Sequence, residues 1–217
     1  MEKKDLFYIE DANQRKLFYR FTPAAFASNF VPLVIVLDDK EKAEVLNFEY
    51  KMWHVLTPID DFSSDKSSPS WIGEKGDIFI KDLLQELIEK IADEYECEEH
   101  IYLYGNASGT YGAILHGLLC KANAVYAKIA QTHYADIKEK VLSSLLDSKD
   151  SSPIFYLCED EPLLESDLEA KIRFLDTCKT HNIHVYQDFC PDAKEDDTYV
   201  LKKVLDMFEH VPPEFNT

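Results

Sequence analysis

One segment constrains the fold more than any other. A short apolar run, Ile101-Tyr102-Leu103-Tyr104, enters Gly105-Asn106-Ala107-Ser108-Gly109 and continues as Thr110-Tyr111-Gly112-Ala113-Ile114-Leu115-His116-Gly117. Four of the chain's six glycines fall within residues 105–117. Glycine lets the backbone turn sharply and lets another backbone approach closely. The segment therefore reads as a strand, a tight turn and an apolar helix packed back on the sheet, which commits the chain to an α/β arrangement.

The flanking pattern agrees. Leu6 to Ile9 and Leu17 to Phe21 read as a hairpin around a polar turn, at a sheet edge. Pro32 to Leu37 is a continuous apolar run, as expected of a parallel strand buried on both faces. Trp53 to Thr57 is a weaker strand. Phe62 to Gly76 reads as a loop with Trp71 as its one large anchor. From Asp77, Ile80, Leu83, Leu84, Leu87, Ile88 and Ile91 recur at three- and four-residue steps and predict a helix. Further strands are expected at Ala124 to Ile129, Pro153 to Cys158 and Ile183 to Phe189. Further helices are expected at about 135–146, 164–181 and 198–208. Tyr102, Tyr104, Tyr126, Phe155, Tyr156, Tyr186 and Phe189 are expected in the core or under helices. With no repeat and no linker, residues 1–217 are expected to form one α/β domain. Its sheet is doubly wound and mostly parallel, in three α-β-α layers, with an antiparallel N-terminal hairpin.

Composition narrows the partners. The 23 basic and 41 acidic residues leave a net charge of −18, which repels phosphate backbones and anionic lipid, so neither nucleic acid nor membrane is an expected partner. Solubility alone accounts for the charge, and a cationic small molecule or protein partner also suits it; a hairpin edge or helix face leaves a homo-oligomer open. No apolar run reaches the about 20 residues that cross a bilayer, and the N-terminus has no signal-peptide core, so a cytoplasmic location is expected. The five cysteines, Cys97, Cys120, Cys158, Cys178 and Cys190, lack metal-ligand spacing and are expected to be reduced thiols. No metal site and no cofactor are expected, because phosphate-loop, dinucleotide and calcium-loop motifs are absent.

The strand, the Gly105-x-x-x-Gly109 turn and the helix resemble the nucleophile elbow of the α/β-hydrolase fold, in which a serine stands at the centre of the turn. The resemblance extends over most of the chain, from about Leu6 to Phe208. Residues 104–113 look like the elbow of small bacterial esterase-like proteins. Ser70-Trp71-Ile72-Gly73 before an amphipathic helix is similar to a subgroup linked to surface-polysaccharide and accessory-secretion systems. The resemblance implies a catalytic serine at position 107, which is Ala107 here. It implies backbone oxyanion donors in the loop after the third strand, which opens Asp38-Asp39, two carboxylates that would oppose an oxyanion. It implies an acid after the seventh strand, where Asp160 fits. It also implies a histidine after the last strand, and residues 189–198 contain none.

Asp38 and Asp39, Asp60 and Asp61, Glu159 to Glu161, and Asp192 with Glu195 to Asp197 each follow a predicted strand, so they are expected to share one edge of the sheet, as solvated polar loops, as a site for a basic ligand, or as a rim that takes a hard cation such as Mg²⁺ or Ca²⁺ for metal-dependent chemistry. Two further readings follow. In the first, the protein is a catalytically inactive hydrolase-like protein that binds a ligand or partner at the acidic C-terminal edge of the sheet, through Asp38, Asp39, Asn106, Ala107, Ser108 and Asp160. In the second, it is an active esterase, thioesterase or acyltransferase with Ser108 as a displaced nucleophile, or with Ala107 engineered from serine. Ser108 lies one position past the apex, where a small hydroxyl would cap the following helix, and the loop where the resemblance places the base holds no histidine to activate it.

Overall fold

The computed structural model describes residues 6–26, 28, 30–38, 50–62, 71–73, 77–106, 108–129, 153–159, 165–187, 190 and 197–211. The strands are β1 (Phe7–Glu10), β2 (Lys16–Thr22), β3 (Leu33–Leu37), β4 (His54–Ile59), β5 (Ile101–Gly105), β6 (Ala124–Ile129), β7 (Ile154–Glu159) and β8 (Val185–Tyr186). The described helices are α1 (Phe79–Tyr95), α2 (Gly109–Leu119), α3 (Glu165–Thr180) and α4 (Asp197–Phe208). The eight described strands form one sheet in the order β1-β2-β4-β3-β5-β6-β7-β8. The hairpin β1–β2 and the β2–β4 pair are antiparallel, and every other pair is parallel. The expected doubly wound, mostly parallel sheet with an antiparallel N-terminal hairpin is therefore present. The helix expected near 135–146 lies outside the described residues.

Strand periodicity builds the three layers. On β3, Leu33, Ile35 and Leu37 face a core shared with α1, α2 and α3, while Val34 and Val36 face a second core closed by α4. Both faces are covered, so the run stays apolar throughout instead of alternating with polar residues. The α1 stripe is buried as its spacing requires, from Ile80 to Ile91. On the far face, Trp53 packs against both Tyr102 and Phe208, with ring centroids 5.0 and 6.3 Å away.

The hairpin turn is set by Asp11. Its carboxylate accepts the N–H groups of Asn13 and Arg15, both at 2.9 Å, and pairs with the Arg15 guanidinium. Arg15 also pairs with Asp77 and lies over the Phe79 ring, which fastens the sheet edge to the start of α1. The strand β4 runs farther than its sequence suggests, through Pro58 to Ile59. Pairing with β3 stops at Leu56, two residues before Pro58.

Three expectations need correction. Among the described residues of the expected last strand, Val185 and Tyr186 form the strand that pairs with β7, and the His184 carbonyl accepts the Phe155 N–H, while Asp188 and Phe189 lie outside the described residues. Tyr186 is 53% exposed and stacks on Tyr156 instead of entering the core. Cys158 and Cys190 are not free thiols: they form a disulfide, with Cα atoms 4.8 Å apart. Cys97, Cys120 and Cys178 take no part in a disulfide.

Candidate functional site

The parallel strands β3 to β8 all end at one edge of the sheet, the edge where open α/β sheets bind ligands. Leu37 and Gly105 are partners at the ends of the central pair β3–β5, and the Asn106 N–H donates to the Leu37 carbonyl at 3.1 Å. The next residue on each strand is therefore held beside its neighbour. Asn106 Nδ2 donates to Asp38 Oδ2 at 3.2 Å, and the two side chains are buried, at 5% and 3% exposure. Asp38 does not point to solvent.

After Asn106 the chain turns and starts α2. The Gly109 N–H closes the turn on the Asn106 carbonyl at 2.8 Å. A Cβ on Gly109 would lie 2.1 Å from the Leu37 carbonyl oxygen, so only glycine lets α2 begin this close to β3. Thr110, fully buried, donates to the Lys128 carbonyl at 2.5 Å and ties the first turn of α2 to β6. The glycine spacing thus produces the expected strand-to-helix turn.

Ser108 occupies the N-cap position of α2, with φ −63° and ψ −19°, and its hydroxyl makes no capping bond to the helix. The expected cap bond is absent because the backbone has already entered the helical region, whereas a capping side chain works from an extended backbone. Asp38, Asn106 and Ser108 are brought to the same turn. Ala107, Asp39 and Asp160 lie outside the described residues.

The broader acidic rim expected at this edge is largely committed to internal bonds where it is described. Asp60 accepts the N–H groups of Phe62 and Trp71, both at 2.9 Å. Glu159, at the end of β7, forms a two-oxygen pair with Lys171 of α3, at 2.7 and 2.9 Å. Among the described residues no three His, Cys, Asp or Glu side chains converge as a metal site. The remaining rim carboxylates, Glu161, Asp192, Glu195 and Asp196, lie outside the described residues.

The histidines have other places. His54 begins β4, and burial lowers its pKa; its Nδ1 accepts the Ala24 N–H at 3.1 Å. His100 precedes β5, His181 and His184 precede β8, and His210 follows α4. His116, on α2, is fully buried between Trp71 and α1. Its Nε2 lies 3.0 Å from the Trp71 carbonyl oxygen and its Nδ1 lies 2.7 Å from Gln85 Nε2. A neutral ring with the proton on Nε2 satisfies both contacts. Burial drives its pKa down to about 4, so it stays neutral at physiological pH. Among the described residues no histidine follows a parallel strand at the site edge; His133 lies outside them.

Sequence reasoning missed how Trp71 is held. The side chain is completely buried against Gly112, where a Cβ would come within 2.5 Å of the indole. Trp71 itself takes a left-handed φ of 71°. Two distant groups, Asp60 and His116, bond to its backbone, with Gln85 holding His116 from behind, and nothing local in the sequence signals that meeting.

No protein-family profile and no curated protein sequence matches the chain. Solved structures do. The chain is similar to FphF, a fluorophosphonate-binding serine hydrolase of Staphylococcus aureus, with a TM-score of 0.63 and 10% identity over 94% of this chain and 97% of that one. It is similar to the capsule O-acetyltransferase of Neisseria meningitidis serogroup A, with a TM-score of 0.62 and 13% identity over 94% of both chains. A thermostable esterase aligns with a TM-score of 0.58 and 13% identity over 94% of this chain, which spans 62% of that esterase's length. The strand order, the glycine turn between β5 and α2 and these neighbours agree: the chain has the α/β-hydrolase fold.

Proposed function

We propose that this protein uses the hydrolase fold to bind a ligand at the β5–α2 turn and does not hydrolyse esters by the serine mechanism. The observation that carries this reading is the buried Asp38–Asn106 pair. A carboxylate that accepts hydrogen bonds stands at the end of β3, where the hydrolase resemblance calls for N–H donors. Preorganised donors at a developing oxyanion are each worth about 3 kcal/mol, and an acceptor there works in the opposite direction. Alanine at position 107 and the histidine-free segment after β8 support the same reading. A ligand suited to this turn presents hydrogen-bond donors or a positive charge, whether as a hydroxylated or cationic small molecule or as a basic segment of a partner protein.

The test is covalent labelling. The protein is incubated with a fluorophosphonate probe and with an activated acetate ester, beside its Ser108→Ala variant. No labelling and no turnover above the variant are expected, and Ala107→Ser is expected to restore neither. Probe attached to Ser108, or ester turnover lost in Ser108→Ala, refutes the binding reading and establishes the displaced nucleophile.

A further inference from the structure

The bridge between Cys158 and Cys190 joins two unlike positions. Cys158 is the fifth residue of β7, 1% exposed, packed in the core that α4 closes. Cys190 lies four residues beyond the end of β8 and is exposed. Its sulfur stands 3.5 Å from the Glu159 carbonyl oxygen. The bond therefore has one sulfur open to solvent and one sealed in the protein. Exchange needs an attacking thiolate to reach a sulfur, so the two ends are not equivalent.

We propose that Cys190 is a thiol–disulfide exchange site for small disulfides and thiols of the glutathione class, with Cys158 as its resolving partner. In the reduced chain, the Cys190 thiolate attacks a small disulfide. A bond forms between Cys190 Sγ and one sulfur of that molecule, and the other sulfur leaves as a thiolate that takes up a proton. Cys158 then attacks Cys190 Sγ, forming the internal bridge and expelling the second small thiolate. Two protein thiols are oxidised and one small disulfide is reduced to two thiols. Reduction runs the same steps backwards, with the first attack on Cys190 and the electron pair leaving on Cys158.

The other cysteines do not compete on equal terms. Burial pushes the Cys97 and Cys178 thiols up to about 12, so neither supplies thiolate at neutral pH. Cys120 is half-buried and serves as the internal control. The exchange has a structural consequence. Positions 158 and 190 are 32 apart in sequence, and the bridge closes a loop containing α3 and β8. It also ties Cys190 to the end of β7. That anchor is at the sheet edge that carries Asp38 and Asn106.

The reduced full-length protein is exposed to excess oxidised glutathione, quenched with acid at intervals and mapped by peptide mass. Wild type is expected to pass through glutathione on Cys190 to a Cys158–Cys190 cross-link. Cys158→Ser is expected to keep one glutathione on Cys190. In Cys190→Ser, Cys158 is expected to be modified at least about tenfold more slowly. If either variant fails to fold, the wild-type time course alone decides, because the first adduct identifies the attacked residue. A first adduct on Cys158, no cross-link at equilibrium, or a cross-link between other cysteines overturns the proposal.

Discussion

His116 gives a test whose size follows from the structure. The ring is fully buried, donates from Nε2 to the Trp71 carbonyl and accepts at Nδ1 from Gln85. Its pKa falls from 6.5 in the unfolded chain to about 4 in the folded one, mainly through burial. Above pH 6.5 the ring is neutral in both states and adds no pH dependence. As pH falls through 6.5 the unfolded chain gains a proton that the folded chain refuses, so stability declines until the folded ring protonates near pH 4. Between pH 7 and pH 4.5 the loss from this one residue is about 2.5 kcal/mol. His116→Gln retains a donor and an acceptor and does not titrate. Urea unfolding of both proteins, followed by the fluorescence of the buried Trp53 and Trp71, measures the difference at each pH. The variant starts less stable at pH 7, by a constant packing cost, and the two curves should converge or cross as pH falls to 4.5. Parallel curves, with the same stability lost by both proteins, refute the assignment of His116 as a buried neutral ring.

Three other expectations concern the site and its frame. Gly109→Ala sets a methyl against the Leu37 carbonyl, a backbone atom that cannot swing away, and should cost about 3 kcal/mol or more; an unchanged melting temperature would contradict the close approach of α2 to β3. Asp38→Ala leaves the Asn106 amide buried without this acceptor, and thermal unfolding should show a loss of about 1–3 kcal/mol, with Asp38→Asn nearer to wild type. Reducing the Cys158–Cys190 bond should cost about 4 kcal/mol for a loop of this length, seen as a lower melting temperature in reductant that Cys190→Ser does not show.

The fold was largely legible because its main signals are local. Five apolar residues in a row at Leu33–Leu37 announce a doubly covered strand, three- and four-residue spacing announces α1, and the glycines announce the turn before α2. The site was legible to the extent that it follows from register: once β3 and β5 are adjacent, Asp38 and Asn106 must meet. What escaped depends on chain segments meeting over long distances. Lys171 takes Glu159 out of the acidic rim, and Asp60 turns inward to the Trp71 backbone, yet their places after strands put both carboxylates on the open edge. The 32-residue spacing of Cys158 and Cys190 carries no signature, since cysteine pairing depends on where strands end in space. The last strand misled for another reason. Its apolar residues suited a strand, but an edge position offers pairing on one side only, and among the described residues the strand is Val185–Tyr186.

The glycines of the β5–α2 turn bear on how chains of this architecture are recognised. Gly109 is required by the Leu37 carbonyl, Gly112 by the Trp71 ring and Gly117 by Val125, whose side chain a Cβ would approach to 2.3 Å. None of these demands comes from a reacting serine. Each comes from the fit of a central helix against a sheet and a buried tryptophan, and it stands whatever residue occupies position 107. A lineage could exchange its nucleophile with little effect on that fit, whereas exchanging a glycine would force the helix off the sheet. In such a family the glycine signature records how the helix is seated, and chemistry must be inferred from the residue between the glycines and from the partners that reach it.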